Sequence, residues 1–394
     1  MIRPRLLSAA AAVTVAAVVL AGCSRPSTAS TSSSASSESS AAVTSSSAAD
    51  TGTAGTAGTA SSASSGAAGS GSAGSASSGG AASGSSSTAA ATGTAAGKQL
   101  RVGFFGFAKA NSFAQATWAG VQEAAAAGNA TAEFIDSNFD GPTQVNQLQD
   151  AVTSKRFDVV IVQANDGTAI VPAVKQALAA GITVVVEFTP VGGRYDTIEA
   201  QVPGVVSIVD APTVNGQGLA TLGLGACKQL AANPCKVAYL QGFANYPLDA
   251  ARTKAAEDAI RAGGADLVAS VVGGYTPDSG RAAFQNVLQA HPDVNVVIGS
   301  SQAIEGAAPV ANGKNILFVG NGGSTQAFAG VASGKWYGVY NIPEKSEGAK
   351  ATELGLAKAR GQQVPTSSDA RDLTPYKALG TKETLQGQKA DYSD

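Results

Sequence analysis

The chain has 394 residues, 44% of them hydrophobic and only 14% charged, with 26 Lys and Arg against 28 Asp and Glu. A near-neutral balance with no basic run argues against nucleic acid as a partner. One histidine, His291, leaves no Ser-His-Asp or Cys-His set and no histidine-based zinc site.

The N-terminal end opens with the basic stretch Met1-Ile2-Arg3-Pro4-Arg5 and continues in an apolar run from Leu6 to Leu20, interrupted by Ser8 and Thr14. That run is short of the ~20 residues needed to cross a bilayer. With the small residues Ala21 and Gly22 behind it, it reads as a secretory signal peptide over 1–22. Leu20-Ala21-Gly22-Cys23 resembles the lipobox of bacterial lipoproteins. The resemblance implies that Cys23 is lipidated and holds an extracytoplasmic protein to the membrane. Residues 23–97 are almost entirely Ser, Ala, Gly and Thr, too poor in apolar surface to offset the entropy of ordering. They are expected to form a disordered tether, with an end-to-end distance on the order of 50 Å.

From Lys98 onward the pattern becomes regular. Short β-branched runs (LRVGFFGF, TAEFID, FDVVIVQ, ITVVVEF, VVSIV) alternate with helical stretches over 112–127, 143–154 and 169–180. A second series follows, with runs KVAYLQG, ADLVASVV, VNVVIGS, NILFVG and WYGVYNI between helical stretches at 215–230, 248–262, 279–290, 303–310 and 325–333. Continuously apolar strands separated by helices indicate parallel sheets covered on both faces. Two such series predict an α/β protein of two doubly wound lobes, with a ligand site beyond the carboxyl ends of the strands. Cys227 and Cys235 flank the turn at Asn233-Pro234. A disulfide suits an exported protein, and two separate buried thiols are the alternative. Gly330–Lys335 (GVASGK) imitates a phosphate loop but is one residue short, and Trp336 stands where Ser or Thr belongs. No catalytic set, cofactor motif or metal set stands out, so neither catalysis nor a cofactor or metal is expected.

FFGFAKANSFAQATWAGVQEAA resembles the first βα unit of type I periplasmic substrate-binding proteins, in the ribose-binding branch. The likeness continues through FDVVIVQANDGTAIVPAVKQALAAGITVVV and KVAYLQGFANYPLDAARTKAAEDAI to ILFVGNGGSTQAFAGVASGKWYGVYNIPEKSEGAKA, covering Gln99 to about Gly387. It implies two lobes joined by a multi-strand hinge, one from 98–211 plus 342–373 and the other from 212–341 plus 374–394. It also implies capture of a small solute between them and delivery to an ABC import permease.

By position, the family's ligand residues fall on Asn111 and Phe113, on Phe188-Thr189 in place of an Asp-Arg pair, and on Thr213, with Asp210 close by. They continue at Lys254 in place of an arginine (Arg252 is two residues earlier), at Ser301, at Gly322, whose neighbour Asn321 is taken as the ligand residue, and at Asn341. Most of the charged groups that grip sugar hydroxyls are thus replaced. Phe113, Phe188, Phe243 and Tyr246 offer aromatic faces to a ring, or else simply pack in the core, Phe243 above all. A sugar or polyol is the expected solute. A less polar or carboxylate-bearing molecule, or a sensor or envelope interaction protein without a transport role, is the alternative.

Overall fold

In the computed structural model the residues described are Gly97–Asp394, so the signal peptide, Cys23 and the tether as far as residue 96 lie outside them. Twelve strands are described: β1 (Leu100–Gly106), β2 (Ala130–Asp136), β3 (Val159–Val162), β4 (Thr183–Phe188), β5 (Val206–Val209), β6 (Lys236–Gln241), β7 (Asp266–Val272), β8 (Val296–Ser300), β9 (Leu317–Asn321), β10 (Trp336–Tyr340), β11 (Ser367–Asp369) and β12 (Leu379–Thr381). Between them run the helices α1 (Ser112–Ala127), α2 (Gly141–Thr153), α3 (Val171–Ala179), α4 (Pro212–Leu230), α5 (Pro247–Ala262), α6 (Pro277–Ala290), α7 (Ser301–Ala307), α8 (Thr325–Ala332) and α9 (Glu344–Ala359).

The strands form two six-stranded sheets, ordered β11-β5-β4-β3-β1-β2 and β12-β10-β9-β8-β6-β7. Pairing is parallel throughout except between β12 and β10. The fold is therefore α/β with two doubly wound lobes. Because successive strand residues face opposite ways, β3 (VVIV) feeds both sides of its sheet and is buried at every position. Val160 and Val162 join the core that contains Val174 of α3, while Val159 and Ile161 join the one that contains Val121 of α1 and Leu354 of α9. The chain passes between the sheets three times, after β5, after β10 and before β12, and these crossings form the hinge.

Helix α9 is absent from the β/α alternation read in the sequence, because it follows the second series yet packs on the first sheet. Glycines let it approach α1 closely: a Cβ on Gly120 would stand 1.9 Å from the Lys345 carbonyl oxygen, and one on Gly348 would stand 2.2 Å from that of Thr117. This close crossing fixes the first turn of α9 beneath the end of β4. Cys227 and Cys235 are joined, with an S–S distance of 2.06 Å, tying the last turn of α4 to the approach to β6.

Candidate functional site

Parallel strands deliver their carboxyl ends to one edge of each sheet, and here the two edges face each other. The first lobe contributes Phe107 and Asn111 after β1, Phe139 after β2, Asn165 after β3, and Phe188 and Thr189 at the end of β4. The second contributes Tyr246, Asp249 and Arg252 around the start of α5, Tyr275 after β7, Gln302 after β8 and Asn321 at the end of β9. Together they wall a cavity of about 40 Å³.

Aromatic rings make most of the wall. Phe113 and Phe188 meet edge to face with centroids 4.9 Å apart, and Phe107 stands 6.0 Å from both Phe188 and Phe139. Across the gap, Phe139 lies 6.4 Å from Tyr275 in a stacked pair. Two of these rings are held on a left-handed backbone, Phe139 at φ 58° and Phe188 at φ 58°. Bulky side chains rarely adopt that region, and holding one there costs about 1–3 kcal/mol. Both strained positions aim a ring at the cavity.

The polar groups are few and buried. Asp249 accepts from the Phe243 backbone N–H at 2.7 Å, from the Tyr275 hydroxyl at 2.5 Å and from Arg252 at 3.2 Å. Burial still pushes its carboxyl above the ordinary range, against the pull of Arg252 and of these donors. The Arg252 guanidinium lies 5.8 Å over the Phe188 ring, a cation–π contact that spans the lobes. Asn111 caps α1 by accepting from the Ala114 N–H, which leaves its amide N–H₂ free to donate. The Asn165 Oδ1, Thr189 Oγ1 and Arg252 Nε atoms are buried without a protein partner. Buried polar atoms are ordinarily satisfied, so these three wall atoms, with the wall amides, are hydrogen-bonding capacity available to a solute.

Asn111, Phe113, Phe188, Thr189 and Asn321, five of the residues expected from the sequence, come together here. Four do not. Lys254 is a correction: it projects outward, with its side chain 77% exposed and its Nζ 2.6 Å from Asp258. Two residues advance an α-helix by about 200°, so when Arg252 faces the cavity Lys254 faces away. Thr213 is only half-buried, with its N–H bonded to the Tyr195 carbonyl. Two residues later Asn215 holds Asp210 at 3.2 Å and Asn321 at 3.1 Å. Ser301 is buried against Gly322 rather than on the wall, and its neighbour Gln302 takes the place. Asn341 donates to the Tyr376 hydroxyl at 2.5 Å within the hinge. Phe243 packs behind the wall on Tyr275 and Phe139, and Tyr246 is in it. The sequence reading missed Phe107, Phe139, Asn165, Asp249, Tyr275 and Gln302. All but Asp249 directly follow a strand, which was a usable signal.

The model of the periplasmic binding protein domain matches residues 102–363. The chain belongs to this family. The ribose import binding protein of Bacillus subtilis is 25% identical over 251 residues, 60% of this chain and 74% of that protein. The D-ribose/D-allose-binding protein of Pseudomonas aeruginosa is 26% identical over 172 residues, 43% of this chain, and there the match spans about half (51%) of the relative's length. Among solved structures, a Mycobacterium smegmatis ABC transporter solute-binding protein with bound glycerol superposes with a TM-score of 0.61 at 22% identity, covering 75% of this chain and all of that one. The Caulobacter myo-inositol binding protein gives 0.61 at 17%, covering 69% and 92%. These structural likenesses establish the fold. The family is extracytoplasmic, and the proteins the chain is similar to are solute-binding proteins rather than enzymes.

Proposed function

We propose that this periplasmic binding protein captures a small neutral sugar or polyol between its lobes and presents it to an ABC import permease, and that acylated Cys23 holds it at the membrane. The observation that carries the solute class is the Asp249–Arg252 pair in the cavity wall. The two charges cancel, so the site has an acceptor and a donor but no net charge to recruit a carboxylate. With Lys254 outside the cavity, the cation that would have favoured a carboxylate-bearing solute is gone. Amides of Asn111, Asn165, Gln302 and Asn321 add both donors and acceptors, which suits hydroxyls, and the surrounding rings suit the apolar face of a sugar. Relatives named for ribose or allose, and neighbours holding glycerol or myo-inositol, lie in the same chemical range. The cavity is walled from both lobes, so entry requires the lobes to part.

A thermal-shift screen of pentoses, hexoses, inositols, short polyols and small carboxylic acids tests this reading. A true solute raises the melting temperature by mass action. Hits confined to carboxylates would overturn it, as would no hit at all.

A further inference from the structure

Behind the solute cavity lies a second concentration of unusual chemistry. Glu187 on β4 and Glu344 and Glu347 on the first turn of α9 are all fully buried, and each offers an oxygen within 4.8 Å of those of the other two. The pattern of their hydrogen bonds is selective. Glu344 accepts from the Thr117 hydroxyl through Oε2 at 3.0 Å and leaves Oε1 without a partner. Glu347 accepts from the Phe188 N–H through Oε1 at 3.1 Å and leaves Oε2 without one. Glu187 reaches the same place from another element, with Gln163 its nearest donor and neither oxygen in a well-formed hydrogen bond.

Mutual repulsion would turn three carboxylates apart, and burying charge without compensation is among the costliest acts in folding. The charged neighbours make this worse, since Asp210 faces Glu347 and Asp391 faces both residues from α9 as further acids. What the cluster lacks is positive charge.

We propose that Glu187, Glu344 and Glu347 form a structural calcium site. One oxygen from each carboxylate converges there, and Glu344 and Glu347 are each steadied by a hydrogen bond to one of their oxygens, as outer-shell donors orient metal ligands. All-oxygen sets select hard cations. Glu187, with neither oxygen in a well-formed hydrogen bond, is the bidentate ligand that calcium takes within its six to eight oxygens; magnesium demands a strict octahedron and retains several waters, for which a fully buried site leaves little room. The ion ties the end of β4 to the start of α9 directly beneath Phe188, whose N–H bonds one of the ligands. This proposal is independent of which solute the cavity takes.

The test is to strip the full chain with EDTA, exchange it into chelator-free buffer, and record melting and calorimetric titration with calcium chloride, using magnesium chloride in parallel. One calcium ion per chain and a rise in melting temperature of about 5 °C or more at saturation are expected, with a smaller response to magnesium. Glu187→Gln should bind calcium at least tenfold more weakly, yet in EDTA melt at or above the wild type because a repulsive charge has gone. Glu344→Gln provides the same comparison if Glu187→Gln does not fold. No calcium-dependent shift in the wild type overturns the site, and so does a calcium response that survives in the variants, which would mark binding to surface acids.

Discussion

Arg252 and Asp249 carry the site's polarity and also its vulnerability. Their side chains are 7% and 2% exposed, 3.2 Å apart. Removing one partner of a buried pair strands the other charge, at a cost of about 3–5 kcal/mol. Arg252→Met should therefore destabilise the protein by about that amount in urea unfolding, while Arg252→Met combined with Asp249→Asn should recover much of it. Both variants should bind solute at least tenfold more weakly, since the Nε donor is lost in each. If the single variant unfolds at the wild-type midpoint, the pair is not the desolvated contact described here. At this scale the sequence was only partly legible. Asn111 and Phe113 follow a strand and were found by position, and Asn321 as the neighbour of such a position, but the choice between Arg252 and Lys254 depends on helix phase, which a two-residue error inverts. Glu344 and Glu347 were not singled out from the other acids, nor was the helix that carries them. Their burial comes from a crossing of α1 and α9, set by Gly120 and Gly348, which no local pattern announces.

Strands and helices were more legible, because β-branched runs such as VVIV and TVVVEF have few alternatives and the helices between them are bounded by Pro and Gly. Helix α9 was the exception, since its inward face consists largely of Gly, Ala, Thr and Glu and carries little hydrophobic signal. Two predictions belong here. The Cys227–Cys235 link closes a loop eight residues apart, worth about 2–3 kcal/mol in the chain-entropy model. Cys227→Ala with Cys235→Ala should lose that stability in denaturant titration and leave solute affinity unchanged, because the link lies away from the cavity wall. The second concerns Asp158, which joins the start of β3 to β1. Partial burial alone would raise its carboxyl, but the side chain and N–H of Arg101, together with Lys98, outweigh that and bring it down to about 2. A group depressed in the folded state stabilises above its unfolded pKa of about 4 and loses that contribution as pH falls through the folded value. Wild type should thus melt above Asp158→Asn at pH 6, and the gap should close between about pH 4 and pH 2. A gap that persists at pH 2 would mean that the charge is not its source.

At the scale of the whole molecule, the two proposals about location and capture separate cleanly. Cys23→Ala should move the protein from the membrane fraction to the soluble one and abolish labelling by a fatty-acid probe, leaving solute affinity untouched; label retained by the variant would refute acylation at Cys23. Capture depends instead on how the lobes hold one another. A solute that touches both walls binds the closed arrangement more tightly than the open one, and that difference is what drives closure. Contacts between lobes at the rim then act on escape more than on entry, because they form only after the solute is enclosed. The Tyr246 hydroxyl, on the second lobe, donates to the Phe139 carbonyl on the first, and both side chains line the cavity. Tyr246→Phe keeps the ring and deletes only this bond. One neutral hydrogen bond is worth about 1 kcal/mol net, so affinity should fall roughly fivefold. Stopped-flow fluorescence on Trp118 and Trp336 with the solute found by the screen should place nearly all of that loss in a faster dissociation rate, the usual seat of affinity changes within one interface. A slower association rate with unchanged dissociation would contradict the argument, since it would mean that the bond forms before the solute is trapped.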